Sequence, residues 1–282
     1  MAQALNYYLE HFGLRERPFA LAPDPEFIFW SPEHRGAFAM LDYGLSTRAP
    51  ITLLTGEIGA GKTTILHHFL AQQAEDVTIG MIANPRPGPN DVLRRVCAAL
   101  GLTAAPGADS SDLFDAIQTF LQAEHRQGRR VLLIIDEAQN LGRDALEDLR
   151  MLTNINAGRD EVLQLLLVGQ PELRAMVRRP DLVQFAQRVS ASYHLPRLEA
   201  ASTGSYIASR IRQAGGNPNI FSRQAAELIH QATDGVPRLI NQLCDLALTY
   251  AFAERAQMVK RDTVAQVLRD GVFFGVSDTP QG

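Results

Sequence analysis

The stretch from Gly56 to Thr64 carries the clearest chemistry in this chain. Gly56-Glu57-Ile58-Gly59-Ala60-Gly61-Lys62-Thr63 fits the pattern G-x-x-x-x-G-K-[ST] at every position. Glycines let the backbone bend so that successive N–H groups point inward at a β-phosphate. The positive end of a following helix adds to the field. Lys62 then reaches the β- and γ-phosphates, the Thr63 hydroxyl ligates Mg2+, and Thr64 ends the loop. The expected ligand is ATP with Mg2+. A chance glycine turn is the competing reading; an apolar run before the loop and a helical pattern after it weigh against that.

A second constellation follows Val131-Leu132-Leu133-Ile134-Ile135, an apolar run that ends in Asp136 and Glu137. Two carboxylates end a buried strand only if something compensates them. Asp136 is expected on the Mg2+ side, and Glu137 orients or deprotonates the attacking water. Asn84, before Pro85, reads equally as an amide that restrains Glu137 and as a strand-ending Asn-Pro turn. Gln170, in Gly169-Gln170-Pro171-Glu172-Leu173, reads as a γ-phosphate sensor between the acids, or as the start of a helix. Two arginines complete the set. Arg238 stands at the first turn of a helix, where a cation opposes the dipole and so calls for an anionic partner; Asn241 lies one turn on. Arg188, just before the fifth apolar run, points towards a neighbouring subunit as an arginine finger. Arg178 and Arg179 compete for that role, or are surface charges.

The elements that must position these residues alternate. Apolar runs at 51–55, 77–83, 131–135, 163–168 and 189–195 are separated by helical patterns at 63–74, 89–101, 110–127 and 143–157. This predicts an α/β fold, a five-stranded parallel sheet covered by helices. The fifth run alternates polar and apolar residues, with Ser190, Ser192 and His194, and is expected at the edge. After Pro196 only helical patterns continue, at 199–214, 222–233, 236–255 and 261–270, a small all-helical lid. Ahead of the sheet, residues 1–48 are rich in aromatic residues and proline. Pro23-Asp24-Pro25 is a turn signal, and Ser31-Pro32-Glu33-His34 caps a helix to about Leu45. The expected division is an N-terminal segment contributing to the nucleotide site at 1–48, the ATPase core at 49–198, the lid at 199–270 and a flexible tail at 271–282.

Composition narrows the class. The chain has 282 residues, 46% hydrophobic and 21% charged, with net charge -4, enough for a large core and without a strongly basic face. Cys97 and Cys244 sit in apolar helical patterns and read as reduced core thiols. The N-terminus lacks a basic stretch followed by an apolar core, and no apolar run approaches the ~20 residues that span a bilayer. A cytoplasmic location is expected.

These motifs carry a resemblance. The chain resembles the ExeA-like AAA+ ATPases of secretion and pilus systems, and more distantly the transposition ATPases of the MuB, TniB and TnsC kind. The matching segments run over nearly the whole chain. They are Phe12-Gly13-Leu14 with Arg17-Pro18-Phe19, Pro23-Asp24-Pro25 with an aromatic segment, Gly56 to Thr63, Asp136-Glu137-Ala138-Gln139-Asn140-Leu141, Leu149-Arg150-Met151-Leu152-Thr153-Asn154, Gly169 to Leu173, Gln187-Arg188-Val189, and Gly235-Val236-Pro237-Arg238-Leu239-Ile240-Asn241. The resemblance implies an AAA+ ATP hydrolase with catalytic Glu137, sensor Gln170, finger Arg188 and lid sensor Arg238. The family often has an acid where Asn156 stands, and secretion-type members often continue with a membrane segment and a peptidoglycan-binding region.

The expected function is ATP hydrolysis coupled to a homo-oligomer, a ring or helical filament, that assists assembly of a secretion, pilus, exopolysaccharide or other envelope system through an unidentified protein effector. The competing function is a DNA-binding ATPase that forms filaments and regulates a transposase-like effector. Net charge argues against DNA, although Arg94-Arg95 and Arg126 with Arg129-Arg130 offer local cations. A scaffold with little turnover fits poorly with an intact Asp136-Glu137 pair.

Overall fold

The computed structural model describes residues 8–21, 28–73, 76–85, 91–103, 105, 107–157 and 160–275. The Pro23-Asp24-Pro25 turn, Phe27 and the end of the tail lie outside the described residues. The chain forms two compact units. One comprises Arg35–Gly56 and Leu66–Leu195; the other gathers the described residues up to His34, Glu57–Ile65, and those from Pro196 onward.

The first unit is a parallel sheet built from β1 (Ile51–Gly56), β2 (Val77–Ile82), β3 (Arg130–Ile135), β6 (Leu163–Gly169) and β7 (Val189–Leu195). Its order is β2-β3-β6-β1-β7, so the five-stranded parallel sheet read from the sequence is present. β1, β3 and β6 are central, and their side chains are buried at nearly every position. That explains their unbroken apolar runs, because a strand covered on both faces has no solvent side to mark with polar residues. The edge reading of β7 holds: it pairs with β1 alone. β2 is the other edge, and its sequence hides this. Ile79 and Met81 are apolar yet 37% and 38% exposed. All five strands run the same way, so Gly56, Ile82, Ile135, Gly169 and Leu195 end at one border of the sheet. In parallel sheets that border is where ligands bind.

Helix α1 (Pro32–Ser46) precedes β1, and helices α2 (Lys62–Leu70), α3 (Asp91–Ala99), α4 (Ser110–Arg126) and α5 (Arg143–Leu152) connect the strands that follow. α4 begins with a capping box between Asp109 and Asp112, a device worth about 1 kcal/mol. The predicted helix over 143–157 stops at Leu152. Residues Asn156–Ala157 (β4) and Asp160–Glu161 (β5) instead form a two-stranded antiparallel ribbon, a pattern too short for a period-2 signal to register. Two short helices, α6 (Pro171–Val177) and α7 (Val183–Ala186), lead from β6 towards β7. Leucines on one face of α4 and α5, such as Leu113, Leu121, Leu146 and Leu149, join the sheet's core; each fully buried one contributes about 1.5–3 kcal/mol.

The second unit is helical: α8 (Ala200–Gln213), α9 (Arg223–Thr233), α10 (Pro237–Ala253) and α11 (Arg261–Arg269). Its core takes in Tyr8, Phe12, Leu14 and Phe19. The Phe19 ring meets Phe221 edge to face at 5.8 Å, and Phe29 meets Tyr206 at 5.5 Å. Arg210, buried, donates to the Pro18 carbonyl at 2.6 Å. Tyr8 and Arg17 both bond Asp245. Tyr8, Phe12 and Phe19 are therefore core of the helical unit, and Phe29 packs against it. Cys97 and Cys244 are both buried free thiols.

Candidate active site

The phosphate loop is a product of its glycines. Gly56 closes β1 opposite Leu195, and a Cβ there would meet the Leu195 carbonyl at 2.6 Å. Beyond it, Gly59 and Gly61 take φ of 79° and 101°, backbone that glycine adopts without steric cost. The Ala60 N–H and the Lys62 ammonium both donate to the Glu57 carbonyl, at 3.2 and 2.9 Å, so the loop closes on itself. Lys62 is only 7% exposed. A buried ammonium demands dense polar or anionic company, which a polyphosphate supplies. Lys62, Thr63 and Thr64 are the first residues of α2, whose leading N–H groups lack intrahelical partners and favour an anion.

The helical unit brings a second predicted residue to this loop. The Arg238 N–H donates to the Gly59 carbonyl at 3.2 Å. Its Cβ lies 2.6 Å from where a Cβ on Gly59 would be, with Val236 next to it. Gly59 must be glycine both for its φ and for this approach. Pro237 stands at the first turn of α10 with Arg238 after it, and the Arg238 side chain is exposed. Asn241 is buried and accepts from the Tyr206 hydroxyl at 2.8 Å, a bond that ties α10 to α8. Glu57 pairs with Arg197 at 3.6 Å, while Ile58 is 61% exposed.

The acidic border of the sheet is organised by side chains. The Asp136 N–H donates to the Ile82 carbonyl at 2.9 Å, extending the β2–β3 ladder by one bond. Asp136 Oδ1 accepts the Glu137 N–H at 2.9 Å. Glu137 itself has φ of 55°, a left-handed conformation costing a non-glycine residue about 1–3 kcal/mol. Two glutamines restrain it. Its Oε2 accepts from Gln139 Nε2 at 2.5 Å and from Gln170 Nε2 at 3.0 Å. Gln139 Oε1 in turn accepts the Gln170 N–H at 3.0 Å. A Cβ on Gly169 would meet that same Oε1 at 2.8 Å. Gln139 thus bridges the end of β3 to the end of β6.

Asn84 does not do what one of its two readings offered. It has φ of 50°, and its Oδ1 accepts from Asn140 Nδ2 at 3.1 Å; the amides on Glu137 are those of Gln139 and Gln170. Gln170 also opens α6, with Pro171 at the first helical position, so it starts a helix while its side chain reaches Glu137. Gln139 stands within the Asp136-Glu137-Ala138-Gln139-Asn140-Leu141 segment, whose sequence assigns it no role. An amide two residues after a strand-ending acid is the only signal, and it becomes legible once the short 3-10 turn Ala138–Asn140 folds it back.

Arg188 lies between α7 and β7. Its guanidinium donates to the Thr153 carbonyl at 3.3 Å and to the Asn154 side chain, and stands 3.9 Å from Glu161 of the ribbon. Of the competing arginines, Arg179 forks onto Asp181 at 3.0 and 3.1 Å, and Arg178 is exposed.

Residues 46–177 match the AAA domain family. The chain is 40% identical over 252 residues to general secretion pathway protein A of Aeromonas hydrophila, covering 89% of this chain and 46% of that protein. The chain thus carries an AAA domain and is related to general secretion pathway protein A. A more remote relative is the Mu-like prophage FluMu DNA transposition protein B of Haemophilus influenzae, 29% identical over 169 residues, or 60% of this chain and 53% of that one. The chain spans about half the length of these curated relatives. Among solved structures, the ORC2 protein of Aeropyrum pernix in its ADPNP–ADP complexes matches with a TM-score of 0.59 at 19% identity, covering 84% of this chain and 67% of that one. That likeness is one of fold. Among the described residues, no helix is long and apolar enough to cross a membrane, and no group of three or more His, Cys, Asp or Glu side chains makes an all-protein metal cage. The Thr63 hydroxyl and the Asp136 carboxylate are hard oxygen donors of the kind Mg2+ takes, alongside waters and phosphate oxygens.

Proposed function

We propose that this ATPase binds ATP at Gly56–Thr64, hydrolyses it through Glu137, and couples the cycle to a homo-oligomer that assists an envelope-assembly system in the cytoplasm. The observation that carries the reading is Glu137. A carboxylate at a strand end, in strained backbone and clasped by two amides, is a group held in place, and a general base works only from a fixed position. Lys62 holds the β- and γ-phosphates. Thr63 and Asp136 would hold Mg2+, whose charge would offset that of the phosphates. Gln170 senses the γ-phosphate beside Glu137, and Arg238 approaches it from the helical unit. The working division remains an N-terminal segment at 1–48, the core at 49–198, the lid at 199–270 and the tail at 271–282.

Arg188 is the finger offered to a neighbouring copy. Contacts of that head-to-tail kind close into rings or run on as helical filaments. The test is complementation. Arg188→Ala should keep ATP binding and lose about three decades in rate, and so should a Glu137→Gln partner. Mixed together they should regain activity, since one interface then holds both intact parts. Specific activity that is independent of protein concentration, with no recovery on mixing, rejects the composite site.

A filament-forming ATPase on DNA is the second reading, favoured by the likeness to a DNA transposition protein. The local cations speak against it. Arg94 is committed to the Ala108 carbonyl, Arg129 to Glu124, and Arg130 to Asp76 at 3.2 Å. A salt-sensitive rise in ATPase rate with duplex DNA would establish this reading in place of the first.

A further inference from the structure

Ser31-Pro32-Glu33-His34 reads as a helix cap, and the cap is there: Ser31 Oγ accepts the His34 N–H at 3.2 Å. The cap does not explain the imidazole. His34 is 7% exposed, and its ring turns to the phosphate loop. Nε2 lies 2.9 Å from where a Cβ on Gly61 would stand, with Cδ2 next at 3.6 Å. The ring also bonds the Ala60 backbone.

The hydrogen-bond pattern fixes the tautomer. The Ser31 hydroxyl lies 2.8 Å from His34 Nδ1, and its oxygen already accepts the backbone N–H, leaving its proton for the ring. Burial disfavours the imidazolium and pushes the His34 pKa down, so the ring carries one proton. A backbone carbonyl cannot donate, so that proton sits on Nε2 and goes to Ala60.

That bond has a consequence for the loop. The Ala60 carbonyl and the Gly61 N–H belong to one planar trans peptide and point in opposite directions. Holding the carbonyl towards His34 aims the N–H the other way. Glycine tolerates either peptide orientation, so the sequence of the loop alone does not choose between them. We propose that His34 is a positioning residue for the phosphate loop: its Nε2–H pins the Ala60 carbonyl and thereby sets the Gly61 N–H in the orientation that receives phosphate. This rests on the loop being the ATP site.

The test measures ATP affinity by calorimetry on the full chain, beside the melting temperature without nucleotide. A glutamine amide reaches roughly where Nε2 stands, whereas an asparagine amide reaches only as far as Nδ1. His34→Gln should stay within about threefold of wild type. His34→Ala and His34→Asn should each bind ATP about tenfold more weakly, near the worth of one hydrogen bond. If His34→Ala fails to fold, the comparison of Gln with Asn at matched melting temperature carries the test. Equal affinity for Gln and Asn overturns the proposal. Lys62→Ala is the control. Lost binding in Lys62→Ala with wild-type affinity in His34→Asn rejects the His34 role alone, and unchanged affinity in Lys62→Ala rejects the ATP site beneath it.

Discussion

The phosphate loop and the acidic border of the sheet reach fixed geometry by opposite means. The loop is shaped by absences. Gly59 and Gly61 lack the side chain that φ of 79° and 101° would strain, and the spaces so left are occupied by Arg238 and His34. The acidic border is shaped by side chains. Glu137 accepts a strained φ of 55°, offset by amides from Gln139 and Gln170. A backbone-built site leaves its mark as a fixed glycine spacing, and a side-chain-built site leaves none, because amides can arrive from anywhere in the chain. The two should also fail differently, the loop in binding and the border in turnover.

Glu137→Gln should produce the largest effect. The amide keeps the size of the side chain and loses the base, so single-turnover hydrolysis should slow by about three decades while ATP affinity changes little. Gly61→Ala tests the other side of the contrast. It places a Cβ at φ of 101° and 2.9 Å from His34 Nε2, and strain of about 1–3 kcal/mol should weaken ATP binding roughly ten- to a hundredfold. If Gly61→Ala lowers kcat and leaves affinity alone, the division between binding and turnover is wrong. The smallest effect is expected from Gln139→Leu, which removes both the amide on Glu137 and the acceptor for the Gln170 N–H. Turnover should fall about tenfold at unchanged affinity, and Gln139→Glu, which keeps the acceptor but sets a like charge beside Glu137, should fall further. Equal rates for the two substitutions would reduce Gln139 to packing.

Sequence legibility follows the same line. The central strands announce themselves because burial on both faces leaves Leu163 to Val168 and Val131 to Ile135 wholly apolar, and the loop because its spacing has few other uses. β7 shows its edge through Ser190 and Ser192. β2 does not, since Ile79 and Met81 stay apolar although partly exposed. The ribbon of β4 and β5 is too short to carry any period, so its residues merge with the helix before them. Among site residues, Arg238 was legible from its place at a helix start, and the structure sets it against Gly59. Gln139 and His34 were not, because each acts through a contact that exists only after β6 or the loop is in place. The amide opposite Asn84 was likewise out of reach: Asn140 meets it across 56 positions of sequence.

The bonds from Tyr8 and Arg17 to Asp245 join residues 237 and 228 positions apart. During synthesis, the sheet unit has all its residues once Leu195 has left the ribosome. The aromatic segment made first has its partners only when α8 to α11 follow. Phe12 and Phe19 therefore wait through the synthesis of the whole sheet unit for the surface that later buries them, and contacts of such long separation are slow to close. The segment around Phe12 and Phe19 is a debt carried by the nascent protein, and this aromatic stretch is one that a chaperone would shield.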